Sequence, residues 1–159
     1  MFSGQVVAIY TAPEKGAPME RHDEVQAVAG VGLDGDRYAT GDGKYTRASD
    51  GGERAVTLIE REAVEAARRE YDVELEERET RRNVVTEGVP LNHLVGRTFR
   101  VGDVVLRGFK LSEPCVYLEG LTRSGVREAL VHRAGLRAEI LAGGTMQVGD
   151  RVEPDGAVS

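Results

Sequence analysis

The sequence predicts a mainly β chain: an antiparallel, barrel-like arrangement of short strands with two or three peripheral helices. Three observations predict it. Apolar residues recur mostly with a period of two, the pattern of half-buried strands. The strand-like runs follow one another through Gly, Pro and Asp turns and so pair as hairpins, not as repeated strand–helix–strand units. A clear helical stripe of apolar residues is confined to two stretches.

Residues 4–13, GQVVAIYTAP, form a β-branched run ended by a proline turn. In DEVQAVAGVGLDGDRYA, Val25, Ala27 and Ala29 alternate before glycines take over. RAVTLIE is another strand. The period then changes: in EREAVEAARREY, Ala63, Val64, Ala67 and Tyr71 fall on one helical stripe, and the pairs Arg61–Glu65 and Glu65–Arg69, four apart, mark a solvated face. RRNVVTEGV reads as a short strand and PLNHLVG as a single helical turn. GRTFRVGDVVLRG is a hairpin, with Phe99 and Val101 alternating before a Gly-Asp turn and Val104 and Leu106 after it. TRSGVREALVHRAG reads as a helix stopped by Gly135, and LRAEILAGG alternates Leu136, Ala138 and Ile140 against Arg137 and Glu139. GGTMQVGDRVEP echoes the earlier hairpin, as a structural repeat or as a second ordinary hairpin with a similar turn. The total is seven or eight short strands and two helices. The polar segment 40–54, TGDGKYTRASDGGER, has the length of a functional or mobile loop.

A chain of 159 residues is expected to form one domain, residues 1–159 with a core over about 4–153, large enough to fold without staples. Its net charge of −6 argues against general affinity for nucleic acid or anionic lipid, while leaving room for a local arginine cluster. One cysteine permits no intrachain disulfide. The N-terminus MFSGQVVAIY has neither a basic leader nor a long apolar run, so a cytoplasmic protein without membrane spans is expected.

Cys115, in LSEPCVYLEG, is the first candidate for chemistry. Thiolate is the nucleophile and the soft metal ligand, and it requires nearby positive charge or a cluster of backbone N–H groups. Glu113 is adverse in that respect. The alternative is a buried, inert side chain, common for free cysteine; Pro114 instead favours display at a strand end. Arg37 follows Gly32 and Gly35, which permit close backbone approach to a ligand. If TRRNVV is extended, Arg81 and Asn83 project from one face with Arg82 opposite, offering a guanidinium for phosphate and a carboxamide for a heterocycle edge. The plain alternative is a surface ion pair such as Arg81 with Glu79. His22, His93 and His132 lack metal-ligand spacing, and the phosphate-loop, dinucleotide and nucleophile-elbow motifs are absent.

Four pieces then stand in order: GLDGDRYA, RRNVVTEGVPLNHLVGRTFRVGDVVL, EPCVYL and HRAGLRAEILAGGTMQVGDRV. Together, over about residues 4–153, they resemble the MOSC domain family, named after the molybdenum cofactor sulfurase C-terminal domain. The resemblance implies a β-barrel-like fold and a pocket for the molybdenum cofactor or a sulfur species. It implies Cys115 as the molybdenum ligand or persulfide acceptor, Arg81 and Asn83 as holders of the pterin phosphate or pterin edge, and Arg37 as a further anion contact. Pyridoxal phosphate, associated with the family's sulfurases, has no evident lysine site here. Where stand-alone bacterial members often carry histidine, this chain has Tyr38.

Three functions follow as alternatives. The first is a molybdenum-cofactor protein supporting reduction of N-hydroxylated small molecules, with electrons from a partner protein because the chain carries no iron–sulfur or flavin module. The second is a metal-free sulfur carrier loaded by a cysteine desulfurase. The third is a non-catalytic anion-binding module. The Arg81/Asn83 pair favours the first over the second, because a persulfide carrier needs no phosphate clamp.

Overall fold

The computed structural model describes residues 1–40, 55–114 and 116–155. Among them the strands are β1 (Gly4–Thr11), β2 (Glu20–His22), β3 (Glu24–Val28), β4 (Gly32–Leu33), β5 (Val56–Glu60), β6 (Val84–Glu87), β7 (Thr98–Val101), β8 (Val104–Leu111), β9 (Leu136–Ala142), β10 (Gly144–Gln147) and β11 (Arg151–Pro154). The helices are α1 (Arg37–Thr40), α2 (Arg61–Tyr71), α3 (Val116–Leu121) and α4 (Val126–Ala129), with 3₁₀ turns at Glu77–Thr80 and Leu91–Leu94.

Seven strands, in the order β11–β7–β8–β9–β5–β6–β1, close into a barrel where Gly4 of β1 meets Val152 of β11. Every neighbouring pair is antiparallel except β5–β6, in which Leu58 stands beside Val84 in parallel. A parallel pair needs a long crossover, and α2 supplies it. This mixed barrel agrees with the expected mainly β fold, with more helices than expected, each short.

Closure requires bends. Register shifts between Val6 and Ala8 and between Gly108 and Lys110 provide them. Gly108 also lets the Leu91–Leu94 turn press on β8, since a Cβ there would fall on the Leu94 carbonyl oxygen. The β7–β8 hairpin turns through Gly102 and Asp103, with Gly102 at φ 59°, the positive value a two-residue turn wants at its first position.

The period-two pattern reads correctly into the barrel: Leu58, Val84, Phe99, Val101, Leu106, Leu136, Ile140 and Val152 fill its interior. A second cluster, including Ala8, Ile59, Val64 and Val85, seals α2 onto the outer wall. A third joins α2 to α3 and α4 through Ala67, Leu75, Leu118 and Leu130.

Three local expectations are corrected. GGTMQVGDRVEP is not a hairpin: β10 pairs with β3 in a separate three-stranded sheet, whereas β11 pairs with β7 and β1. The Val-Gly-Asp there is a corner at which the chain changes sheets, with Asp150 Oδ2 accepting the Gln147 N–H at 2.9 Å. The C-terminal helix shrinks to Val126–Ala129, because His132 takes a left-handed conformation, φ 61°, and its N–H donates to Glu113 at 2.7 Å. Tyr71 is exposed rather than on the buried stripe, which Ala63, Val64, Ala66 and Ala67 form instead.

Candidate functional site

The site is built on the outer face of the barrel wall. Leu136 and Ala138 of β9 point into the core, so Arg137 between them points outward. It stands in register with Thr57 of β5 on one side and Lys110 of β8 on the other. Over this row lies α1, entered through the turn at Asp36.

Asp36 is fully buried and anchors that turn. Its Oδ1 accepts the Ala12 N–H at 3.0 Å and pairs with Arg37 Nη1 at 3.1 Å, while Oδ2 accepts the Tyr38 N–H at 3.2 Å. A carboxylate at a helix start satisfies amides that would otherwise lack acceptors. Gly32, at φ 147°, serves protein packing: a Cβ there would meet the Ala55 carbonyl oxygen at 3.1 Å.

Arg37 is 3 % exposed and donates from Nη2 to the Arg81 carbonyl at 3.0 Å. Its guanidinium carbon lies 4.5 Å from the centre of the Tyr38 ring, and that of Arg137 lies 5.6 Å away. Arg82, also buried, adds its charge from the side. Burial alone would raise the Tyr38 pKa, but Arg37, Arg137 and Arg82, together with a hydrogen bond from Arg137, outweigh burial and hold it below the ordinary tyrosine value. Tyr38 therefore reports a positive field, a local exception in an acidic chain.

Arg81 and Asn83 do not share a strand face. Arg81 caps the Glu77–Thr80 turn in a left-handed conformation, φ 60°, and β6 begins only at Val84. The Arg81 side chain donates from Nη1 to the Ala17 carbonyl at 2.7 Å, while its own carbonyl receives Arg37. Asn83 is fully buried and ties β1, β5 and β6 together: Oδ1 accepts from Thr57 N and Oγ1 at 3.0 and 3.1 Å, and Nδ2 donates to the Tyr10 carbonyl at 3.1 Å. A carboxamide used at both ends holds strands and is not presented to a ligand.

Sequence reading overlooked Arg82 and Arg137. Arg82 Nε donates to the Ala134 carbonyl at 2.7 Å and Nη2 to the Ser112 carbonyl at 2.8 Å. One guanidinium thus fastens the end of β8 to the approach to β9. Cys115 lies outside the described residues, as does most of segment 40–54; Ser112 precedes Cys115 by three positions. Glu113, the adverse charge near the thiol, is engaged by His132, whose Nδ1 is 2.7 Å from Glu113 Oε2. No group of three His, Cys, Asp or Glu among the described residues is placed to hold a metal ion, and no helix among them is long and apolar enough to cross a membrane.

The family model described as the MOSC domain matches residues 36–153, well over half the chain and every residue of this cluster from Asp36 to Arg137. The chain belongs to the MOSC domain family. That family is associated with the molybdenum cofactor. The MOSC barrel is similar to the crystal structure of YuaD protein from Bacillus subtilis, at 16% identity and TM-score 0.79, covering 96% of this chain and 97% of that one. It is similar also to YiiM from Escherichia coli, at 19% identity and TM-score 0.66, over 98% of this chain and 71% of that one. YiiM from Geobacillus stearothermophilus shares 14% identity with a TM-score of 0.71, over 98% and 79%. At these identities the likeness is one of fold. No curated protein matches the MOSC chain.

Proposed function

We propose that this MOSC protein binds the molybdenum cofactor, with buried arginines holding its phosphate and Cys115 ligating the metal, and that it supports reduction of N-hydroxylated small molecules using electrons from a partner protein. The observation that carries the reading is the approach of the Arg37 and Arg137 guanidiniums to the Tyr38 ring, at 4.5 and 5.6 Å, with Arg82 fastened to the Ser112 carbonyl at the strand end that leads to Cys115.

The fit can be tested on the residues present. Buried charge is costly unless it meets counter-charge or hydrogen bonds. Two guanidiniums within 4.5 and 5.6 Å of one ring centre, with that of Arg82 held at the neighbouring strand end, form a cluster suited to an anion. The Ser112 hydroxyl, buried and without a hydrogen-bond partner among the described residues, is a further polar atom of the kind that meets an oxyanion. Arginine is the fitting residue type, since its planar fork pairs with phosphate oxygens bidentately. Arg137 is therefore assigned the phosphate, with Arg37 and Arg82, bonded also to Asp36 and to backbone carbonyls, adding charge around it, Arg81 beside them, and Asn83 the support of the wall behind. When bound, the cofactor supplies two-electron redox chemistry at molybdenum. The chain's own part is to bind and orient the anion and to supply a thiolate. Pairing of Glu113 with His132 supports the last role, because it turns the carboxylate to another partner.

The same engagement of Glu113 also favours a second reading, in which Cys115 carries a persulfide without metal. One experiment separates the two. Protein purified from a host that makes the cofactor should contain molybdenum, lost in Cys115→Ala. A metal-free protein whose mass rises by one sulfur on treatment with a cysteine desulfurase would establish the second reading instead. Neither metal nor adduct would reject both.

A further inference from the structure

We propose that Ser112 is a ligand-binding residue of this site, its hydroxyl contacting an oxyanion, phosphate-like, held by the surrounding arginines. The proposal rests on the anion-clamp reading above and gives the Ser112 hydroxyl noted there a direct contact and a test of its own.

Four observations carry it. Ser112 is 2 % exposed, and its Oγ has no hydrogen-bond partner among the described residues. Buried polar side chains nearly always have partners, so an exception calls for a physical reason. The backbone on both sides of that hydroxyl is committed: the Ser112 N–H donates to the Gly135 carbonyl at 2.7 Å, and the Ser112 carbonyl accepts Arg82 Nη2 at 2.8 Å. The residue is thus held in place, with only its side chain left over. Finally, β8 pairs Leu111 with Leu136 and Lys110 with Arg137. Leu136 faces the core, so Lys110 and, continuing the alternation, Ser112 lie on the Arg137 face.

A hydroxyl on the residue whose carbonyl holds Arg82, and on the face of Arg137, adds what a guanidinium lacks. A guanidinium donates only, whereas a hydroxyl can both donate to an oxyanion and accept from a protonated oxygen. Its burial without a partner is unfavourable in the free protein and becomes favourable when an anion arrives. This arrangement makes a prediction of opposite sign for stability and for binding, which a structural serine would not.

The test is Ser112→Ala, which removes one oxygen and leaves the packing. Inorganic phosphate is titrated calorimetrically into wild type and variant, and both are melted without phosphate. The expected result is phosphate affinity weaker by about tenfold or more, the loss of one hydrogen bond to a charged group, with a melting temperature unchanged or higher. Equal phosphate affinity in both proteins overturns the proposal. So does a variant that loses affinity and melts lower, because the hydroxyl is then structural. If wild type itself takes up no phosphate, the anion-clamp reading fails and the proposal with it; that outcome is visible before the variant is made.

Discussion

Asn83→Ala isolates what the wall behind the site contributes. The substitution deletes an amide whose Oδ1 receives Thr57 N and Oγ1 and whose Nδ2 reaches the Tyr10 carbonyl. The Thr57 hydroxyl can turn to another acceptor, but the Thr57 N–H and the Tyr10 carbonyl are backbone groups that cannot. A buried polar group left without its partner costs about 1–3 kcal/mol, so two cost about 2–6 kcal/mol. For a chain of this size 1 kcal/mol lowers Tm by about 2–4 °C, so the variant should melt at least about 4 °C below wild type. Urea unfolding followed by circular dichroism should show the same loss as a lower midpoint with an unchanged slope. Thr57→Val touches the same network, so the double variant should lose less than the sum of the singles. Phosphate affinity of the folded variant should stay near wild type. An Asn83→Ala protein that melts with wild type yet no longer binds phosphate would refute the assignment and return Asn83 to the ligand.

Other expectations concern titration and backbone. Tyr38 should ionise below the ordinary tyrosine range, seen by ultraviolet difference spectra as one early phenol among five tyrosines and absent in Tyr38→Phe; a wild type without an early component contradicts the positive field. Because the folded-state value is the lower one, this group should add stability as pH rises through it towards the ordinary tyrosine value, and lose it on the way down. Glu60 behaves oppositely: burial first, then the Glu62 charge, raises its pKa. Its charge therefore opposes folding above the raised value, so Glu60→Gln should raise Tm at neutral pH and lose that advantage below about pH 4, where the carboxyl is protonated in both states. Equal melting across this range would refute it. Gly135→Ala should be among the most damaging small changes, since φ is 109° and a Cβ would fall on the Leu58 carbonyl oxygen; soluble protein with wild-type Tm would contradict the close packing of β9 on β5.

Local regularity made much of the fold legible. Alternation identified the strands, the stripe of Ala63, Val64 and Ala67 identified α2, and Gly102-Asp103 identified the β7–β8 turn. Features set by distant partners were not legible. The β10–β11 stretch repeats the letters of the first hairpin, yet Met146 finds Val25 and Val152 finds Val101, and no local pattern encodes that divergence. The C-terminal helix stops early because a carboxylate 19 residues away holds His132 left-handed. The same holds for the site. Arg37 was singled out by Gly32 and Gly35, yet Gly32 serves packing against Ala55, and Arg37 is placed by its pairing with Asp36. Arg82 acts through carbonyls 30 and 52 positions away, and Arg137 looked like an ordinary outward strand residue until Tyr38 was found above it. The pairing of Arg81 with Asn83 failed because a 3₁₀ turn, capped by Arg81 itself, occupies the place of the expected strand.

The central claim is that the arginine cluster and Cys115 together hold the molybdenum cofactor. Molybdenum per polypeptide, measured by elemental analysis on protein from a cofactor-producing host, tests it most directly. Wild type should contain the metal, while Cys115→Ala and Arg137→Ala, each verified as folded, should not. Metal content unchanged in both variants, or a wild type free of molybdenum, would contradict it.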